Sequence, residues 1–332
     1  ALARRDPSLE VTLFHALIDP PKPAEPWMNA FADEELAGSI RSLYPRWNLF
    51  GRPALPAPLR SADLVHAMSG SSIPPVADGQ RLVVTVHDLA FDRHPGMFPT
   101  SWRAMYRLGL RAAVRRAHAI VTPSRTTAED VLSRTNVDPR KLHVVPEAAA
   151  LPGSNVDVGE ALKRLKLMPP YVLFVGTIEP RKNLVRLVRA YRRVAATGVP
   201  HGLVLAGPLG WHHERLMREL ALEGPGEIVM TGALAPDELD AVYRAADAFV
   251  YPSVYEGFGL PVLEAMTRGV PVVASNTSSL PEVTGDAAIG VNPRSVRELA
   301  AAIESLCTED DLAERLAAAG RRRAERFSWD ET

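Results

Sequence analysis

Two glutamates eight residues apart, Glu256 and Glu264, flank a Gly-Phe-Gly-Leu-Pro run, and this is the most chemically suggestive spacing in the sequence. The segment reads Tyr251-Pro-Ser-Val-Tyr-Glu256-Gly257-Phe258-Gly259-Leu260-Pro261-Val-Leu-Glu264-Ala-Met. An apolar strand runs into a loop whose glycines let the backbone approach a ligand closely. Pro261 stands where the first turn of a helix favours proline. Free amides at such a helix start attract anions, and Glu264 falls one turn inside, within reach of a ligand held there. One carboxylate in the loop and one in the helix would suit the hydroxyls of a sugar and a ribose. The plainer alternative makes Glu264 a surface helix residue and Glu256 a capping carboxylate. The glycines, the apolar surroundings and the position at a strand's carboxyl end favour a site. A glycosidase-style acid pair fits less well, because parallel sheets with anion-binding helix starts suit nucleotides better.

A second segment, Val175-Gly176-Thr-Ile-Glu179-Pro180-Arg181-Lys182-Asn183, repeats the pattern of strand, turn and helix start. Arg181 and Lys182 could hold a diphosphate and meet the charge that develops on a leaving phosphate. Two adjacent cations at a helix start oppose the macrodipole, and a local rule broken without visible compensation points to an anion that supplies it. A solvated basic turn would read the same way.

The elements that must carry these loops follow from periodicity. Short apolar runs at 10–15, 82–86, 119–122, 142–145, 171–175, 203–206, 227–231, 248–251 and 271–274 read as strands. Helical patterns at 102–117, 184–195, 212–222, 236–245 and 296–306 lie between them. Near-continuous apolar strands separated by helices predict an α/β protein with parallel sheets covered on both faces. Residues 147–170 break the alternation with Pro152, Gly153, Asn155 and the pair Pro169-Pro170, which puts a domain junction there. Two Rossmann-like halves follow, residues 1–150 and 151–332. The proline-rich stretches 20–26 and 53–58 read as loops, and residues 1–6 as the last turn of a helix.

At 332 residues the chain has room for two such cores. Its 38 Lys and Arg against 39 Asp and Glu leave a net charge of -1, which argues against a general nucleic-acid binder. Cys307 is the single cysteine, so there is no intramolecular disulfide and no cysteine-built metal site. No apolar run approaches the roughly 20 residues of a membrane span, and the simplest expectation is cytoplasmic residence. Arg103, Arg107, Arg111 and Arg115 recur every fourth residue along one helix. A solvated helix face is the plainer account, and peripheral contact with an anionic lipid surface or a lipid-linked acceptor is the alternative.

The Glu-x7-Glu motif with its Gly-Phe-Gly-Leu-Pro insert, together with Gly-Thr-Ile-Glu-Pro-Arg-Lys-Asn, resembles glycosyltransferase family 4. Val84-Thr-Val-His87-Asp88-Leu, Val121-Thr-Pro-Ser124, Ala206-Gly207-Pro208, Ser279-Leu-Pro-Glu282-Val and Phe327-Ser-Trp329 follow the family's order. The likeness covers nearly the whole chain and is weakest over residues 20–61. It implies a GT-B fold of two Rossmann-like domains, acceptor-binding then donor-binding, facing a central cleft. It implies a retaining, metal-independent hexosyltransferase, mannosyltransferase-like, using a GDP- or UDP-sugar as donor substrate and no further cofactor. The acceptor would be a glycan, lipid-linked or small-molecule hydroxyl. By that resemblance Arg181 and Lys182 grip the donor diphosphate, Glu264 binds the ribose and Glu256 the transferred sugar. Gly176, Gly207, Gly232, Gly257, Phe258, Gly259 and Leu260 line the donor, and His87 stands beside sugar and acceptor as a hydrogen-bond donor. Thr177 follows Gly176 where many relatives carry an arginine. The family's opening strand and glycine-rich loop, and its closing helix, are expected outside this sequence. Two competitors remain, a sugar-nucleotide 2-epimerase of the same fold and a non-catalytic sugar-nucleotide-binding module. A dinucleotide oxidoreductase is disfavoured, since no Gly-x-Gly-x-x-Gly follows a predicted strand.

Overall fold

The computed structural model describes residues 6, 8–17, 26–149 and 153–332. Most of the expected helix turn at 1–6 and of the expected loop at 20–26, and Pro152 at the expected junction, lie outside the described residues. The chain divides into two compact units, Ala1–Val145 and Pro146–Thr332.

In the first unit, β3 (Leu64–Ala67), β4 (Arg81–Thr85), β5 (Ala119–Thr122) and β6 (Leu142–Val144) form a parallel sheet in that order. A separate parallel pair joins β1 (Thr12–Leu17) to β2 (Ala32–Ser39). Leu82, Val84 and Ile120 are fully buried, as are Ala112 and Ala113 of the helix Thr100–Arg116. That helix comes very close to the loop after β3. A Cβ on Gly109 would lie 2.1 Å from the Gly70 carbonyl oxygen, so only glycine fits.

The second unit holds a six-stranded parallel sheet in the order β12-β11-β10-β7-β8-β9. Its strands are β7 (Tyr171–Val175), β8 (Gly202–Ala206), β9 (Ile228–Gly232), β10 (Ala248–Tyr251), β11 (Val272–Ser275) and β12 (Ile289–Val291). β7 is apolar at every position because both faces are covered. The helix Leu184–Ala195 buries Leu184, Leu187, Val188, Tyr191 and Val194, the i, i+3, i+4, i+7 stripe that docks a helix on a sheet. From β7 the chain builds outward through β8 and β9, then returns to place β10 on β7's other side and builds outward through β11 and β12. The order therefore reverses between β7 and β10, and ligands of such sheets bind outside the carboxyl ends of the strands at that switch point. The loops carrying Arg181 and Glu256 follow β7 and β10.

Candidate functional site

The first loop leaves β7 at Gly176 and makes a single 3-10 turn, Pro180–Lys182, before the helix Leu184–Ala195. Asn183 joins turn to helix in the left-handed region, φ 62. Its side-chain amide donates to the Pro252 carbonyl at 3.0 Å and the Pro293 carbonyl at 2.7 Å, tying this loop to the one after β10. Gly176, Gly207 and Gly232 stand side by side at the ends of β7, β8 and β9. Gly207 N–H donates to the Gly232 carbonyl at 2.9 Å. Gly207 has φ +143, and a Cβ there would lie 2.2 Å from the Gly176 carbonyl oxygen, so these loop backbones pack without side chains between them.

After β10, the Glu256 amide donates to Ser278 Oγ at 3.0 Å. Ser279, fully buried, donates its hydroxyl to the carbonyls of Glu256 and Phe258 at 2.9 and 2.8 Å. Gly257, Phe258 and Gly259 are buried and Leu260 half-buried. The helix Leu260–Thr267 begins one residue ahead of Pro261, with no side chain capping its first turn.

Lys182, Arg181, Glu256 and Glu179 meet in one buried cluster. Lys182 Nζ donates to Glu256 Oε1 at 2.7 Å and to the Tyr251 hydroxyl at 2.6 Å. Arg181 donates through Nη1 to Glu256 Oε2 at 2.6 Å and through Nη2 to Glu179 Oε1 at 2.7 Å. Only 6% of Glu256 and 7% of Lys182 is exposed. Burial pushes the Glu256 carboxyl up, but the Arg181 and Lys182 charges more than offset it and hold it at about 2. Burial lowers Lys182 below the usual lysine range against the pull of Glu256. Glu179 moves the other way, raised by burial despite Arg181 and Lys182, and its Oε2 is buried with no hydrogen-bond partner among the described residues. The adjacent cations, which look uncompensated along their own segment, are thus neutralised by two carboxylates of the fold. The anion inferred from the helix-start argument is supplied internally, by Glu256 and Glu179.

Glu264 lies apart from that cluster, half-buried, and accepts the Tyr243 hydroxyl at 3.0 Å. Burial, then the Glu264 charge, raises the Tyr243 phenol well above its ordinary value, so it stays a donor. Arg268 stacks over the Tyr243 ring, 5.5 Å from its centroid, and donates through Nη1 to the Glu264 carbonyl at 3.2 Å. Its Nε donates to Asp240 Oδ1 at 2.7 Å, and Asp240 Oδ2 accepts the amide and hydroxyl of Ser154. Tyr243, Arg268 and Asp240 thus support the second glutamate. None stands out in the sequence, since Tyr243 looks like any aromatic on an amphipathic helix and sits 21 residues from its partner.

His87 belongs to the first unit, exposed just past β4, with Nε2 2.9 Å from the Met68 carbonyl. On the arginine helix, Arg107 pairs with Asp92 at 2.9 Å, while Arg111 and Arg115 are exposed. Among the described residues no group of three or more His, Cys, Asp or Glu side chains is set to hold a metal ion, and no helix is long and apolar enough to cross a membrane.

The family profile for group 1 glycosyl transferases matches residues 161–323, and that for glycosyltransferase family 4 matches residues 1–149. O-antigen chain mannosyltransferase B of Escherichia coli is 34% identical over 258 residues, which cover 76% of this chain and 68% of that protein. Other curated relatives are longer, and the chain spans 32% to 61% of their length. Among solved structures, sucrose-phosphate synthase from Thermosynechococcus elongatus superposes with a TM-score of 0.73 at 22% identity, over 97% of this chain and 86% of its own. HepE of Anabaena, solved with UDP and glucose, gives 0.67 at 18% identity, over 90% and 83%. The structural likeness shows the GT-B fold.

Proposed function

This chain belongs to glycosyltransferase family 4, and from that membership we propose that it moves a hexose, mannose foremost, from a nucleoside diphosphate sugar to a hydroxyl acceptor in glycan synthesis, with retention at the anomeric carbon. The observation that carries the reading is the meeting of Arg181, Lys182 and Glu256 on glycine-bearing loops at the β7/β10 switch point, with Glu264 in the helix that follows. In this reading the donor diphosphate replaces Glu256 as partner of the two cations, which are preorganised where charge develops on the leaving group. Glu256, released, takes the hydroxyls of the transferred sugar, and Glu264, steadied by Tyr243, takes the ribose. The bond from the anomeric carbon to the diphosphate oxygen breaks while the acceptor oxygen bonds to the same face. The departing phosphate accepts the acceptor's proton. Arg181 and Lys182 supply the charge in this scheme, so no step is assigned to a metal. His87 is assigned as a hydrogen-bond donor to sugar or acceptor from the acceptor-binding unit.

The E. coli relative's being a mannosyltransferase supports mannose as the sugar moved, with GDP-mannose kept as one donor in the test, and HepE's UDP keeps a UDP-sugar as the other. Cytoplasmic residence, with peripheral membrane contact through the arginine helix, belongs to the same proposal. Calorimetric titration of GDP-mannose and UDP-glucose into wild type and Glu264→Ala tests the reading. One donor should bind selectively and weaken by about 1.5–3 kcal/mol in the variant. Unchanged affinity would remove the ribose assignment, and conversion of the donor with no acceptor present would identify an epimerase instead.

A further inference from the structure

Glu179 is the member of the buried cluster to which the donor reading gives no task. It is 5% exposed, stands two residues ahead of Arg181, and carries the wrong sign of charge for a diphosphate site. Like charges repel most strongly where water is excluded. A carboxylate here weakens donor binding unless it does something that offsets the repulsion.

Its contacts point to one task. Oε1 accepts Arg181 Nη2 at 2.7 Å, and Oε2 is buried without a partner, so among the described residues the carboxylate's only hydrogen bond is to Arg181. Arg181 Nη1 donates instead to Glu256 Oε2 at 2.6 Å and to the Tyr255 carbonyl at 2.9 Å. The two ends of the guanidinium fork are thus held by different loops, Nη1 by the loop after β10 and Nη2 by the loop after β7.

Glu179 is itself fixed from a third loop, the one after β8. Ile178 N–H donates to the Pro208 carbonyl at 2.9 Å, and Gly210 N–H donates to the Ile178 carbonyl at 3.0 Å. A Cβ on Gly210 would lie 2.7 Å from Thr177 Cγ2 and 3.5 Å from Glu179 Cβ, so the two loops pack closely beside the carboxylate. None of these contacts involves Glu256 or its loop. When a diphosphate takes the place of Glu256, Nη1 changes partner while Nη2 keeps its own. A guanidinium anchored at one nitrogen has less rotamer freedom to lose on engaging phosphate, and it offers the other nitrogen in a fixed direction.

We propose that Glu179 is a positioning residue of the donor site, holding Arg181 through Nη2 so that Nη1 stays aimed when the donor diphosphate displaces Glu256. This inference rests on the donor reading and adds to it a residue that acts only through Arg181.

A double-mutant cycle on donor affinity tests it, by calorimetric titration of GDP-mannose and UDP-glucose into the whole chain. Glu179→Ala should weaken the donor that binds by at least about tenfold. Glu179→Gln, which keeps an acceptor for Nη2, should recover most of that loss and guards against an alanine variant that fails to fold. In an Arg181→Ala background, adding Glu179→Ala should change affinity by less than about twofold, the scatter of uncoupled changes. A purely structural role would cost affinity equally in both backgrounds, and that result would overturn the assignment. So would unchanged or tighter binding in Glu179→Ala, the outcome that repulsion alone predicts. Binding of neither nucleotide by folded wild type would instead overturn the donor reading, and this assignment with it.

Discussion

Glu256→Gln is the sharpest probe of the buried cluster, because it keeps volume and one acceptor while removing a single charge. In the folded unit the Glu256 carboxyl sits at about 2 against an ordinary 4.5. A depression of that size favours the ionised form by about 3 kcal/mol. Glutamine forfeits that and leaves the Lys182 ammonium buried beside Tyr251 with its main counter-charge gone, while Arg181 keeps Glu179. Breaking a buried pair by removing one partner costs roughly 3–5 kcal/mol, so a loss of about 3–5 kcal/mol is expected for residues 146–332 at pH 7. The sign with pH follows from the direction of the shift. Glu256 is more acidic folded than unfolded, so its stabilisation is complete above about pH 4.5 and drains away as pH falls toward 2. The gap between wild type and variant should therefore be widest at neutral pH and narrow steadily below pH 4.5. Urea unfolding, followed by hydrogen exchange of β7 so that the second unit is read alone, measures the gap at pH 7 and pH 3. A gap under about 1 kcal/mol at pH 7, or one that does not change with pH, would refute the argument that Glu256 is the counter-charge.

Three further outcomes follow from the same geometry. Lys182→Ala should cut turnover at least ~100-fold, as loss of one preorganised charge stabiliser does, and a near-wild-type rate would show that the diphosphate is held elsewhere. Tyr243→Phe removes the hydroxyl that Glu264 accepts, so donor affinity should weaken by about 0.5–1.5 kcal/mol with KM moving more than kcat; calorimetry showing full affinity would mean that Tyr243 does not steady Glu264. Asp240→Ala removes the carboxylate that pairs with Arg268 and accepts from Ser154, and should destabilise the second unit by about 3–5 kcal/mol in urea, whereas a cost under 1 kcal/mol would make that network incidental.

What can be read in the sequence tracks how local its cause is. β7 is legible because Tyr171-Val-Leu-Phe-Val is apolar throughout, as a strand covered on both faces must be. The helix Leu184–Ala195 is legible from its stripe. β2 is not: Ala32–Ser39 carries Asp33, Glu34 and Glu35, and its identity as a strand comes from pairing with β1, which no local pattern announces. β3, four residues long with His66 inside it, is too short to show a period. The helix Asp310–Ala324 falls outside the elements expected from periodicity, although acidic residues open it and arginines close it, the signs that suit a helix dipole.

The site divides the same way. Residue types and spacings within each loop are legible, since each follows a strand and opens a helix. The pairing between loops is not, because Lys182 and Glu256 lie 74 residues apart and meet only because β10 returns to the side of β7. This is why Arg181 and Lys182 look like a broken electrostatic rule: the compensation sits in a loop that sequence order hides. The inference from broken rule to bound anion is sound in form, but the first anion to satisfy it is a carboxylate of the fold itself. Two cations and two carboxylates leave the cluster neutral. In the proposed reaction an incoming diphosphate therefore competes with Glu256 for the same guanidinium and ammonium protons. The hydrogen bonds that Glu256 gives up are replaced only when sugar hydroxyls reach it, which ties tight binding of the leaving group to the presence of the sugar it must leave.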